Sequence, residues 1–433
     1  MIGKKRALTD TKDKYRRDMG TLSIAILAVN GLIGAGIFGL PEVLHQAVGT
    51  FAPWLLLIGG LLVMSIVVCF AELTKTTDRS GGPQRFVADA WGSYPGFMVG
   101  WSFFAARVIS FGANVLVLIA YAAALWPAIG EGLAKTLAIV MIFGGLALIN
   151  VIGVRRTVGT LGALTLLKLL PLILLMVVGI GAASAPESIV LPQWSAVEGI
   201  ALAALYAFVG FENATVPAGE TRDPKRAMPR AIQLSLALVS LIYFGLQWAY
   251  SHSAIAGTAP DAPVTALARL YWGDIGATLI AATIVVSVLA NLMAGYTSSS
   301  RMPAAFADDR LIPAWFGRVS RWGTPANSIL FLFVLIILFA LVDDFLVLAI
   351  MSSVARLIAY VASILSLPRL RQRTGHKAIN VTIAIAAPIA LTLSIWAMTQ
   401  TNGDQWSMLG GFAVVGTILF FVARRKLGSA VSS

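Results

Sequence analysis

The sequence predicts an all-α integral membrane protein with twelve transmembrane helices, built around two five-helix halves. The first observation is composition, because 58% of the 433 residues are hydrophobic and only 12% are charged, which is typical of a bundle of spanning helices. The second is that apolar stretches of about 20 residues, the length that crosses a bilayer, recur along the whole chain. The third is that two of these stretches, one in each half, are interrupted near their middle.

The apolar stretches follow one another without a long hydrophilic segment between them. A single transmembrane domain is therefore predicted over residues 20–424, between a charged N-terminal segment at 1–19 and a C-terminal tail at 425–433. The twelve predicted spans are residues 20–47, 51–74, 94–127, 134–153, 157–182, 197–219, 228–256, 275–301, 326–342, 345–367, 379–399 and 406–423.

Positive charge is distributed unevenly between the two sides of this predicted domain. The first span is too long for a signal peptide and ends in PEVLHQ instead of a cleavage site, so the N-terminus is expected to stay in the cytoplasm. With that orientation, 27 of the 32 Lys and Arg residues fall in cytoplasmic segments. The bias predicts a multi-pass protein of the cell membrane with both termini cytoplasmic. The net charge of +12 then reflects topology and contact with anionic lipid, and no nucleic-acid partner is predicted.

The first span contains residues that break helices. The stretch GLIGAGIFGLP, residues 31–41, holds four glycines and a proline. Unpaired backbone groups cost several kcal/mol in hydrocarbon, so such a break must face protein or a water-filled cavity. Glycine permits an unwound turn and lets a ligand approach the main chain closely. A glycine-rich helix-packing face is the alternative interpretation for this break taken alone.

A second break lies at the corresponding place of the second half. In YAFVGFENATVPAGE, residues 206–220, an apolar span is interrupted by Val209-Gly210 and then by Glu212. The halves cover 20–182 and 197–367, and two further helices follow at 379–423. Paired interrupted spans are typical of inverted-repeat secondary transporters that bind substrate between the breaks. Free amides suit a carboxylate and free carbonyls suit an ammonium, so the predicted ligand is an α-amino acid.

Four charged residues fall inside predicted spans, where each is by default a functional candidate. They are Arg107, Lys168, Glu212 and Arg356. Lys168 is expected to reach the first break and the hydroxyls around Ser299, replacing a sodium ion or carrying a proton. For Arg107, pairing with Glu212 is favoured over contact with a substrate side chain. Structural and gating roles are equally open for Arg356, as are packing and lid roles for Tyr206.

Three motifs together resemble the amino acid-polyamine-organocation permeases. They are GLIGAGIFGLPE, FVGFENATVPAGETRDPKRAMPRAI and SSSRMPAAFADDRLIPAWFGRVSRWGTPANS. The resemblance covers spans one to ten and implies a LeuT-type fold of two inverted five-helix repeats plus two helices. It also implies transport of amino acids or related amines by alternating access.

The resemblance implies roles for individual residues as well. It implies carboxylate contacts at the amides of Gly34, Ala35 and Gly36, and ammonium contacts at the carbonyls of Leu32, Tyr206 and Val209, with Gly210 forming the second break. Tyr206 matches the aromatic gate of the family and Glu212 an acidic position that some members carry. Lys168 matches a lysine of sodium-independent members, whereas Arg107 and Arg356 match no general role.

The predicted function is sodium-independent amino acid transport, as a proton symporter or an exchanger. No soluble-enzyme motif is present and the three histidines are far apart in the sequence, so no catalytic residue, metal or cofactor is predicted. A polyamine or amine antiporter and a non-transporting amino acid sensor are the alternatives. The cations at Arg107, Lys168 and Arg356 would repel a polyamine, and no output domain for a sensor is visible. Substrate side chain and oligomeric state are left open.

Overall fold

A computed structural model describes residues 19–76, 81–153, 159–182, 190–216, 221–375 and 380–431. The side chains of residues 159–168 and 426–431 are not part of this description. Most of the predicted N-terminal segment, the last two residues of the tail and the side chain of Lys168 therefore lie outside the described residues.

The described chain is helical, with a single isolated β-bridge between Met19 and Thr221. Its α-helices are α1 Thr21–Leu32, α2 Gly36–Gly39, α3 Pro41–Val48, α4 Ala52–Thr74, α5 Gly82–Trp91, α6 Ser93–Ala123, α7 Gly132–Ile152, α8 Gly159–Ala182, α9 Trp194–Tyr206, α10 Pro224–Ser251, α11 Pro263–Ser299, α12 Met302–Asp308, α13 Ala326–Ala340, α14 Phe345–Arg373, α15 Val381–Thr399 and α16 Gly403–Val431.

Ten helical segments of the described chain are long and apolar enough to cross a membrane. Two shorter apolar helices, Leu169–Ala182 and Ala326–Ala340, coincide with the predicted fifth and ninth spans. The protein is thus a multi-pass membrane protein by length and composition, and the count of twelve spans stays a prediction.

Helix α6 occupies the centre of the bundle. In the most apolar 18-residue stretch of α6, 89% of the residues are buried, whereas in the corresponding stretches of α7 and α16 only 22% are buried. Helices α5, α11, α13 and α14 all pack on α6, and α10 packs on both α1 and α4. Side chains that α6 directs inward therefore meet several helices at once, which makes it the natural wall of an internal site.

Both predicted breaks are present, and they face each other. Helix α1 ends at Leu32 and α2 begins at Gly36. On the other side, α9 ends at Tyr206, Gly210 has a φ of 114°, and a 3-10 helix covers Phe211–Thr215. A Cβ placed on Gly31 would lie 2.6 Å from the Gly210 carbonyl oxygen. Only glycine permits this contact of main chain with main chain, so the two breaks depend on each other.

Candidate functional site

A cavity of about 340 Å³ lies between the two breaks, α6 and α11. Its volume is at the lower end of the range for small-molecule sites. The predicted substrate-binding residues all line it: Leu32, Gly34, Ala35, Gly36, Tyr206, Val209 and Gly210. Arg107 and Arg356 line it too. The other polar lining residues are Asn30, Ser110, Asn114, Asn213, Asn291 and Ser298. Sequence reasoning missed Asn30 and Asn291, whereas the spacing of Ser110 and Asn114 predicts that they share one face of α6 with Arg107.

The first break offers two unused backbone donors. Gly36 is the first residue of α2, whose amide has no partner within that helix. The Ala35 amide likewise has no acceptor among the described residues. The Gly34 amide, by contrast, donates to the Leu32 carbonyl at 2.9 Å. The donors available to an anion are therefore those of Ala35 and Gly36.

The Leu32 carbonyl is already saturated with hydrogen bonds. It accepts the Gly34 amide and also the Tyr243 hydroxyl, at 2.7 Å. A carbonyl oxygen has two lone pairs, and both are thus used in this conformation. Two residues earlier, the Asn30 carbonyl accepts the Asn291 side-chain amide at 2.9 Å. Side chains from α10 and α11 therefore satisfy carbonyls that the break would otherwise leave unpaired.

The second break supplies an acceptor. The Val209 carbonyl has no donor among the described residues, and the Tyr206 carbonyl accepts only the Val209 amide, at 3.4 Å. The Tyr206 hydroxyl donates to Asn114 Oδ1 at 3.1 Å, and its ring meets the edge of Phe345 with centroids 6.0 Å apart. Tyr206 is thus held by both a hydrogen bond and a ring contact at the cavity wall.

Glu212 forms a buried ion pair with Arg356. Glu212 is fully buried, and the Arg356 Nε lies 3.0 Å from its Oε1. Its Oε2 accepts the Tyr360 hydroxyl and the Gly210 amide, both at 2.8 Å. Helix α14 is thereby tied to the second break. The favoured pairing of Arg107 with Glu212 is wrong, because the carboxylate points toward α14 and not toward α6.

Arg107 instead donates to neutral groups. Its Nη1 lies 2.7 Å from Asn213 Oδ1 and its Nη2 lies 3.0 Å from Ser298 Oγ. Its guanidinium also lies 5.6 Å from the centroid of the Phe103 ring, a favourable cation–π distance. Among the described residues, no carboxylate is within ion-pair distance of Arg107.

The predicted contact between Lys168 and the Ser299 region stays a prediction. The backbone of Lys168 lies in α8, which packs against α1, α10 and α11. Ser299 is fully buried, and its hydroxyl has no partner within the described part of the chain. The hydroxyls of Thr297, Ser298 and Ser300 bond carbonyls of their own helix. Ser299 is thus the one hydroxyl of this described group that is left for another partner.

Glu42 is a buried carboxylate that sequence reasoning did not single out. It accepts hydrogen bonds from the Tyr250 hydroxyl at 2.5 Å, the Gly257 amide at 3.1 Å, the Ala259 amide at 2.9 Å and the Gln46 side chain at 2.8 Å. It thereby joins α3 to the end of α10 and the loop after it. The only local feature of the sequence that could have indicated a role for Glu42 is its position after Pro41, and a Pro-Glu pair is equally typical of an ordinary helix start.

Replacing Glu42 by alanine is expected to lower the thermal stability of the protein. The change leaves the buried Tyr250 hydroxyl without its acceptor, and an unsatisfied buried donor costs about 1–3 kcal/mol. The amides of Gly257 and Ala259 lose the same acceptor, but these residues are exposed and water can replace it. The measurement is the unfolding temperature of the purified protein in detergent. Gln46→Ala, which removes one donor and keeps the carboxylate, is the matched control. Equal unfolding temperatures for the two variants would show that Glu42 does not carry this connection.

A family model described as amino acid permease matches residues 19–424. The serine/threonine exchanger SteT of Bacillus subtilis (strain 168) is 26% identical over 318 residues, covering 69% of this chain and 70% of the relative. The D-serine/D-alanine/glycine transporter of Escherichia coli (strain K12) is 23% identical over 336 residues, covering 74% of this chain and 71% of the relative. An uncharacterised transporter of Mycobacterium tuberculosis (strain ATCC 25618 / H37Rv) is 26% identical, covering 72% of this chain and 70% of the relative.

Proposed function

The chain belongs to the amino acid permease family, and we propose that it carries an amino acid across the cell membrane by alternating access. The family match confirms the resemblance that the three sequence motifs predicted, and it makes the protein a transporter and not an enzyme. One observation supports the proposed substrate site above the others. Two helix breaks face each other across one cavity, and among the described residues the amides of Ala35 and Gly36 on one break and the Val209 carbonyl on the other have no hydrogen-bond partner.

In this proposal the substrate bridges the two breaks. Its α-carboxylate accepts hydrogen bonds from the amides of Ala35 and Gly36, where the start of a helix favours negative charge. Its ammonium donates to the carbonyls of Val209 and Tyr206. Leu32 joins the ammonium site only when Tyr243 or Gly34 releases its carbonyl, since both lone pairs of that oxygen are otherwise occupied.

The arrangement of the whole chain is proposed to be LeuT-type. Twelve spans would form two inverted repeats, 20–182 and 197–367, followed by two helices at 379–423. The position of the breaks in the first span of each repeat supports this arrangement. Both termini are proposed to be cytoplasmic, because 27 of the 32 Lys and Arg residues then lie on the cytoplasmic side.

Transport is proposed to be independent of sodium, by proton symport or by exchange. Lys168 would supply a fixed or titrating charge beside the first break, and the packing of α8 against α1 supports its place there. Glu212 and Arg356 would couple the second break to α14 as a gate. A polyamine substrate is disfavoured, because Arg107 and Arg356 both line the cavity and the described residues supply only Glu212 as a counter-charge.

The test is uptake into liposomes that contain the purified protein. Radiolabelled amino acids and polyamines are supplied in sodium-free buffer, to empty and to preloaded vesicles, with and without an inward proton gradient. Uptake of an amino acid is the expected result, and its dependence on preloading or on the gradient separates exchange from symport. Absence of amino acid uptake with or without sodium would overturn the proposal.

Replacing Lys168 by alanine is expected to abolish uptake while the protein still inserts in the membrane. The cation that would stand beside the first break is lost, and no other described cation lies on α8. Lys135→Ala is the control, because Lys135 lies in a partly exposed ion pair with Asp343 and such pairs contribute little. Full uptake by the Lys168 variant would remove this residue from the mechanism.

A further inference from the structure

Arg107 brings to the cavity a positive charge that no carboxylate of the described residues neutralises. Of its five N–H donors, one on Nη1 and one on Nη2 bond the neutral side chains of Asn213 and Ser298. The other three donors have no acceptor among the described residues. Arg107 is partly buried, and a guanidinium that has lost part of its hydration without gaining a counter-ion among the described residues carries a free-energy cost.

The second cavity-lining guanidinium differs from Arg107 in this respect. Arg356 is neutralised by Glu212 through Oε1, and the Oε2 of Glu212 accepts from Tyr360 and Gly210. Both carboxylate oxygens are thus engaged by α14 and the second break, and neither is within ion-pair distance of Arg107 on α6. Within the described residues, the cavity keeps one net positive charge, and that charge belongs to Arg107.

Arg107 also lies at a distance from the groups that would hold the backbone of a substrate. Asn114 faces the first break, since a Cβ on Gly34 would lie 4.0 Å from its Oδ1. Arg107 precedes Asn114 by seven residues on α6, which is about 10.5 Å along the helix axis. The Arg107 side chain and the Ala35 amide thus reach the same cavity from two separate places.

We propose that the transported substrate is an amino acid with an anionic side chain, of the aspartate or glutamate class. Its side-chain carboxylate accepts hydrogen bonds from the free N–H groups of Arg107 and supplies the missing counter-charge. A planar guanidinium can form two parallel hydrogen bonds with a planar carboxylate, and this bidentate geometry makes the pair both strong and selective. The inference rests on the proposed function and adds the substrate class to it.

The experiment compares substrates that differ in charge but not in shape. Uptake of radiolabelled aspartate and glutamate is measured in sodium-free proteoliposomes against asparagine and glutamine, with serine and arginine included. Wild-type protein is expected to prefer each acid over its amide by about 10- to 100-fold in uptake at low concentration, the range for hydrogen bonds to charged groups.

Two variants test whether Arg107 makes this choice. Arg107→Gln removes the charge, and Asn213→Asp places a carboxylate on the side chain that now lies 2.7 Å from Arg107 Nη1. Both variants are expected to lose the preference for acids. In Asn213→Asp, Arg107 is still present, but the new carboxylate neutralises its charge. Arg269→Gln is the control, because Arg269 is exposed and pairs with Asp274 on the surface of the protein.

The outcomes separate this inference from the proposed function. If wild-type protein moves acids and amides equally well, the substrate class is overturned. If Arg107→Gln keeps the acid preference, the role of Arg107 in binding the side-chain carboxylate is overturned. Amino acid transport stands in both cases. If no amino acid on the panel moves, the proposed function fails and this inference fails with it.

Discussion

Replacing Gly36 by valine is expected to reduce apparent affinity for the transported amino acid by about 5- to 150-fold, which corresponds to the cost of about 1–3 kcal/mol that is usual for overpacking. A Cβ at this position would lie 3.0 Å from the Ala207 Cα and 3.5 Å from the Tyr206 ring. The neighbouring atom at 3.0 Å is main chain of the second break and has little room to move. The two methyl groups of valine would add to this crowding and would cover the amides of Ala35 and Gly36.

The measurement is the concentration dependence of uptake, together with the unfolding temperature with and without substrate. Gly144→Val is the matched control, because Gly144 lies on the peripheral helix α7 and an added Cβ would meet nothing within 4 Å. The control is expected to keep wild-type affinity. Unchanged affinity in the Gly36 variant would exclude the first break as the carboxylate site, whereas loss of folding would appear as a fall in unfolding temperature without substrate.

The breaks could be predicted from sequence because glycine acts locally. The glycines and the proline of GLIGAGIFGLP favour an interruption of the first span, and the Val209-Gly210 pair at the corresponding place of the second half supports that interpretation. The structure adds that Gly31 and Gly210 touch through their main chains. That contact depends on the folding of two segments some 180 residues apart, and one sequence contains no direct signal for it.

The partners of Arg107 and Arg356 could not be predicted either, because they too depend on contacts between segments that are distant in the sequence. Arg107 and Arg356 are equivalent in sequence, since each is a cation within an apolar span. Glu212 and Asn213 are adjacent, and a turn of the 3-10 helix sends the carboxylate to α14 and the amide to α6. A difference of one residue therefore decides which guanidinium is neutralised. Hydropathy indicates that a charge is buried, but the geometry of the break determines its partner.

Replacing Arg356 by alanine is expected to lower the free energy of unfolding by about 3–5 kcal/mol, the usual cost of leaving one member of a buried pair without its partner. Glu212 is fully buried, and in this variant it would keep only the Tyr360 hydroxyl and the Gly210 amide. The measurement is thermal unfolding in detergent. Arg85→Gln is the control, because Arg85 pairs with Asp89 while each side chain is about one third exposed, and such pairs contribute little.

The double variant Glu212→Gln with Arg356→Met separates the stabilising role of this pair from a gating role. Removing both charges leaves no uncompensated ion, and replacing a buried pair by uncharged groups of similar volume is often neutral for stability. Stability is therefore expected to recover in the double variant. If the pair also couples the second break to α14 during transport, uptake stays low although the protein is stable, because the strong link between the two elements is gone. Recovery of both stability and uptake would show that Glu212 and Arg356 only hold the helices together, and the gate would then have to be sought elsewhere on α14 or at Tyr206.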